Sequence, residues 1–133
     1  MLGDSVGDLQ GKLTGRRVVS VEGAPKIEAS FAEAGKLAGL DVNTVVTYTS
    51  KLLPDGTLYG EGQGVIMAAN GEGASFVGQG VGRFTETGGV SFRGALYSQS
   101  MGATLSKLNG TTLVYEHESD ADDNTTTKLW EWK

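Results

Sequence analysis

From Asn43 to Leu53 the side chains alternate, with Val45, Thr47, Thr49 and Lys51 on one side and Val46, Tyr48 and Leu52 on the other. A period of two is that of a β-strand with one face buried. The alternation breaks at Pro54-Asp55-Gly56, a strong turn sequence, and resumes from Thr57 to Ala68. Asn70-Gly71-Glu72-Gly73 turns the chain into Ala74 to Thr85, and Thr87-Gly88-Gly89 turns it into Val90 to Ser98. Met101 to Leu108 and Thr111 to Ser119 flank Asn109-Gly110, the favoured dipeptide of a type I′ hairpin. Asp120 to Asp123 then reverses the chain into Asn124 to Trp132. Upstream, Gly15 to Glu22 and Lys26 to Ala34 read as two further strands. In the second, Ile27, Phe31, Ala34 and Ala38 also fit a helical stripe, but Ile27, Ala29 and Phe31 alternate with Lys26, Glu28 and Ser30. Short turns without helix-sized connections predict an all-β fold, an antiparallel up-and-down meander of about eight strands. Closing it into a small barrel removes its exposed edges. No linker composition divides the chain, so residues 1–133 are expected to form one barrel domain, with 1–12 as an N-terminal arm.

The chain carries 21 glycines among 133 residues, against about nine at ordinary usage. Gly does not recur at every third position, which excludes collagen. Pairing the strands about their turns sets Tyr48 opposite Gly62, Val46 opposite Gly64, Gly62 opposite Gly80, Gly64 opposite Gly78 and Gly82 opposite Gly94. Gly60, Gly62, Gly64, Gly78, Gly80, Gly82 and Gly94 then share one face with Leu52, Leu58, Phe84 and Phe92 at one end and Ile66 and Phe76 at the other. Thr47, Lys51, Glu61, Gln79, Arg83 and Arg93 take the other face, so the glycine face is expected inside. Slips of two residues would leave that assignment intact. In the last strands, the same arithmetic puts Leu113, Tyr115, His117, Lys128, Trp130 and Trp132 inside, facing the glycine patch. Glycine weakens a strand unless something approaches its bare backbone closely, and large rings such as Tyr48 over Gly62 would do so. Val45, Val65 and Val77 line up on the outer face with Met67, Val81 and Tyr97 nearby. A contiguous outer apolar patch suggests a homo-oligomer.

A net charge of -5 and a pI near 4.8 provide no basic surface for nucleic acid. No run approaches 18 apolar residues, so no membrane span is expected. The opening residues lack the basic and apolar regions of a signal peptide, which points to the cytoplasm. Without cysteine there is no disulfide, thiolate or Cys-based metal chemistry. Gly78-Gln79-Gly80-Val81-Gly82 is neither a dinucleotide-binding fingerprint nor a P-loop, and no cofactor is expected. Asp120, Asp122, Asn124 and Glu131 imitate the spacing of an EF-hand loop, but Thr125 replaces its glycine and no helices flank it; a solvated acidic turn is the plainer reading, and no metal is expected. His117 is the only imidazole. It is either hydrogen-bonded within the barrel or an acid–base group with Tyr115 beside it and Lys128 across the hairpin. Trp130 and Trp132 are core residues or ligand-stacking residues.

The phrases Pro54-Asp55-Gly56-Thr57-Leu58-Tyr59-Gly60-Glu61-Gly62-Gln63-Gly64-Val65, Gly80-Val81-Gly82-Arg83-Phe84 and Lys128-Leu129-Trp130-Glu131-Trp132-Lys133 resemble those of an uncharacterised bacterial family of short β-barrel proteins. More remotely, the glycine-rich meander is similar to the barrels of allene oxide cyclases, dirigent proteins and lipocalins. That likeness implies a cavity for an apolar or phenolic molecule, in some cases one that steers a cyclisation without a cofactor. None of those families' functional residues can be matched here, so none is carried over. The leading expectation is a non-enzymatic barrel binding an apolar or aromatic small molecule, with Tyr48, Tyr115, His117 and Trp130 as ligand-contacting residues. The alternatives are a cofactor-independent cyclase or isomerase using His117 and Tyr115, and a structural module whose barrel is filled by its own side chains.

Overall fold

Eight antiparallel strands run up and down in chain order, each bonded to the next, and the last closes onto the first. The computed structural model describes residues 2–133. The strands are β1 (Leu2–Ser20), β2 (Lys26–Leu37), β3 (Leu40–Leu52), β4 (Leu58–Ala68), β5 (Gly73–Phe84), β6 (Val90–Ser100), β7 (Leu113–Ser119) and β8 (Asn124–Trp132). The all-β barrel expected from the alternation is therefore what forms. No helix among the described residues is long and apolar enough to cross a membrane.

The segment expected as an N-terminal arm is instead, from Leu2 onward, the first part of β1. Met1 lies outside the described residues. Closure requires it: Gly7 to Lys12 pairs with β2 on one side and with β8 on the other. Gly3, Gly7 and Gly11 depress the strand signal of this segment, and only tertiary pairing reveals it.

Residues 101–108 do not form the expected hairpin strand. Leu105–Leu108 is a single turn of 3-10 helix at the end of the barrel where β6 gives way to β7. Asn109 (φ −62°, ψ 137°) and Gly110 (φ +72°) make a type II turn, in which the Thr111 N–H donates to the Leu108 carbonyl; a type I′ turn would need positive φ at both residues. Two side chains hold this turn in place. Glu72 Oε1 accepts the backbone N–H of Thr104 and of Leu105, each at 2.9 Å. The Asn109 amide accepts from Ser100 N and donates to Ser100 O, both at 2.9 Å, standing in for a strand neighbour. Leu105 and Leu108 thereby point inward as a floor, packed with Leu9, Leu37, Ile66 and Leu113.

Glycine pairing is observed two residues away from the expected register at two of the three ladders. Tyr48 is opposite Gly62 as expected, but Gly62 faces Gly78, and Gly80 faces both Gly60 and Gly94. A slip of two keeps every side chain on its side, and the glycine face is the inner one. Val45, Val65, Val77 and Tyr97 point outward and are exposed.

β8 departs from expectation in the opposite manner. Asp120 pairs back to Asn124 through the loop Ala121-Asp122-Asp123, with Asp123 at φ +66°. Asp120 Oδ1 accepts the N–H groups of Asp122 and Asn124 and fixes this odd-numbered loop. A loop of even length had been expected, and one residue of difference turns each β8 side chain over. Leu129 is consequently buried inside, Lys128 is exposed, and Trp130 lies on the outer wall opposite Val114. Trp132 is 60% exposed.

Candidate functional site

The glycine face makes room, and rings take most of it. A Cβ placed on Gly82 or Gly60 would lie 2.6 or 3.1 Å from the Phe92 ring, and one on Gly64 would lie 2.6 Å from the Phe76 ring. The Tyr115 hydroxyl rests on Gly80, and Tyr48 Cβ is 2.7 Å from the Cβ position of Gly62. Behind these rings a cavity of about 90 Å³ remains inside the barrel. Val46, Ile66, Phe76, Leu96 and Leu129 supply much of its apolar wall, and Leu108 its floor.

Three of the four expected site residues meet there: Tyr48, Tyr115 and His117 all line the cavity. Trp130 does not, because β8 has the other face inward. Phe31 stacks on the His117 imidazole at 4.5 Å between ring centres, and the edge of Tyr48 packs toward both Phe31 and Phe92. Lys128, expected across the hairpin as a partner of His117, faces solvent opposite Glu116.

Glu33, which the sequence reading passed over, sits on this inner wall and is only 4% exposed. Its parity was visible: Ala29, Phe31, Glu33 and Leu37 share one face of β2, so an acid stands in an otherwise apolar row. Thr125 donates to Glu33 Oε2 at 2.8 Å and Thr127 donates to Oε1 at 2.7 Å. Thr127 Oγ1 lies 2.7 Å from His117 Nδ1. With Glu33 ionised, Thr127 spends its proton on the carboxylate and Nδ1 donates to Thr127, which assigns the imidazole the Nδ1–H tautomer. The result is a chain from His117 through Thr127 to Glu33, ending in an Nε2 lone pair. Nε2 is buried and has no hydrogen-bond partner among the described residues, and the same holds for the hydroxyls of Thr44 and Ser98, which also line the cavity. Thr44 is the cross-strand neighbour of Glu33.

Burial dominates the electrostatics. It pushes Glu33 above the usual carboxylate range, against the pull of its two hydroxyl donors. It raises Tyr48, and it raises Tyr115 to about 12, where the phenols of Tyr48 and Tyr59 add repulsion. It lowers His117 to about 4. Between about pH 6.5 and 4, an unfolded chain takes a proton on His117 that the folded chain refuses, so acidification favours unfolding. Glu33 acts in the opposite sense, since the folded state holds its proton to a higher pH. In chemical denaturation, His117→Gln is therefore expected to gain about 2 kcal/mol on the wild type between pH 7.5 and pH 5. A constant gap between the two proteins over that range would contradict the buried, neutral imidazole.

The acidic turn resembling an EF-hand loop uses its first carboxylate internally, since Asp120 Oδ1 and Oδ2 bind Asp122 and Asn124. Among the described residues no group of three or more His, Asp or Glu side chains is placed to hold a metal ion.

The barrel is shared with bacterial proteins of unknown function. A crystal structure of one from Clostridium acetobutylicum ATCC 824 superposes with a TM-score of 0.83 at 9% identity, over 98% of each chain. A conserved protein from Rhodopseudomonas palustris gives 0.81 at 10% identity, over 98% of this chain and 97% of that one. At these identities the likeness is one of fold. No protein-family model matches the sequence. A comparison with curated proteins gives no match either.

Proposed function

We propose that the barrel binds a small apolar or aromatic molecule in its interior, without transforming it. The observation that carries this reading is the cavity of about 90 Å³ left inside an otherwise ring-packed wall. A water needs only about 10–15 Å³, so the space is several times larger than one solvent site. Leaving it unfilled forfeits on the order of 2 kcal/mol of packing. The partnerless groups on Thr44, Ser98 and His117 add roughly 1–3 kcal/mol each. An occupant would recover part of both. A module filled by its own side chains would have no reason to retain either cost. Proton transfer is the weaker reading, because an imidazole held near pKa 4 is a poor base at neutral pH.

Adjacent valines provide the test. Val46 lines the cavity while Val45 faces solvent. On titration with benzene, methyl resonances of Val46, Ile66 and Leu96 are expected to shift saturably, while those of Val45, Val65 and Val77 stay fixed. Shifts confined to the outer valines, or none up to the solubility limit of benzene, would refute interior binding.

A further inference from the structure

We propose that the cavity selects a neutral ring carrying a hydroxyl or N–H donor, which it recognises through His117 Nε2. The inference rests on the interior-binding reading above and adds its chemical selectivity. His117 is 5% exposed and is a member of the cavity wall. Its ring is fixed on both sides: Phe31 stacks on its face, and Nδ1 is tied through Thr127 to Glu33. With the proton on Nδ1, Nε2 can only accept, and no group among the described residues donates to it.

A buried acceptor left open costs stability, and a ligand donor removes that cost. An ether or hydrocarbon of the same shape would bury Nε2 and leave it unpaired. An anion would bring its charge to a wall that already holds the Glu33 carboxyl, with no Lys or Arg among the described residues that line the cavity. This inner wall therefore discriminates twice, for a donor and against a negative charge. The Thr44 hydroxyl, directly across the ladder from Glu33 and also without a partner, offers the complementary donor to an acceptor elsewhere on the same molecule.

The experiment compares phenol, anisole and benzoate by calorimetry and by imidazole ¹⁵N NMR on the intact protein. Phenol is expected to bind about tenfold more tightly than anisole, as one good hydrogen bond provides, and benzoate more weakly than either. In His117→Phe, which keeps a ring against Phe31, the ratio of phenol to anisole should fall to about one. In the wild type, Nε2 should resonate as an unprotonated nitrogen and move toward the protonated position with phenol but not with anisole. That measurement stands even if the variant does not fold. Equal affinity for phenol and anisole, tighter binding of benzoate, or a proton found on Nε2 in the free protein overturns the selectivity and leaves interior binding intact. Failure of all three probes to bind overturns both.

Discussion

Gly94→Val is expected to unfold the protein or cost roughly 4 kcal/mol or more, read as a lowered denaturant midpoint at unchanged slope. Gly94 faces Gly80 across the β5–β6 ladder, and Tyr115 adjoins it on β7. A Cβ there would run into the Gln79 carbonyl oxygen and come within 2.6 Å of Gly80 Cα. Both are backbone, so no rotamer change relieves the clash; β5 and β6 would have to separate. Gly80 cannot yield, because the Tyr115 hydroxyl already occupies the space above it. Gly60→Ala is the informative comparison. The nearest atoms to its new methyl belong to the Phe92 ring, at 3.1 Å, and a ring can tilt. A cost of about 1 kcal/mol is expected there. Similar losses at both positions would mean that glycine serves generally, and not at the bare crossing of two strands.

Leu105→Ala is expected to cost about 4 kcal/mol, the upper part of the range for a buried leucine. Leu105 is 0% exposed and packs in the floor on a 3-10 turn that Glu72 caps from another loop. A single turn has little stability of its own, so the surrounding leucines cannot collapse onto a shortened side chain without displacing the turn. Leu105 shares its core cluster with Leu108, which lines the cavity. Chemical denaturation gives the loss directly. If interior binding holds, benzene should restore more stability to this variant than to the wild type.

What could be read from sequence divides along physical lines. β3 to β6 were legible because Pro54-Asp55-Gly56, Asn70-Gly71 and Gly88-Gly89 announce their own turns, and inner–outer parity survives a slip of two. The part of β1 before Gly15 was not, since the strand character of Gly7 to Lys12 comes from β2, 20 to 30 residues away, and from β8, 112 to 122 residues away, and not from its own glycines and aspartates. The floor was missed because Asn109-Gly110 is a hairpin signal only when both residues adopt positive φ, and Asn109, tied to the Ser100 backbone, is at negative φ. Trp130 was misplaced by one residue of loop length, a quantity that Asp120 decides through hydrogen bonds. Of the cavity, Tyr48, Tyr115 and His117 followed from alternation alone. Glu33 stood in the same alternation, but an acid surrounded by alanines is ordinarily read as solvated. Only its meeting with Thr125 and Thr127, more than 90 positions away, shows why it is tolerated inside.

The seam between β1 and β8 also sets the order of assembly. Leu2 pairs with Trp132, so the contact that closes the cylinder joins nearly the most distant positions of the chain. On a ribosome, every other ladder can form between neighbours already made, while β1 must wait with one edge bare until β8 emerges. Contacts of such long range are slow to form, and unpaired edges recruit other chains in the meantime. Throughout that interval the half-built barrel has the exposed edge of an open sheet, and a second nascent copy offers the same missing partner. Dilution during refolding should therefore favour barrels closed within one chain over strand-exchanged assemblies.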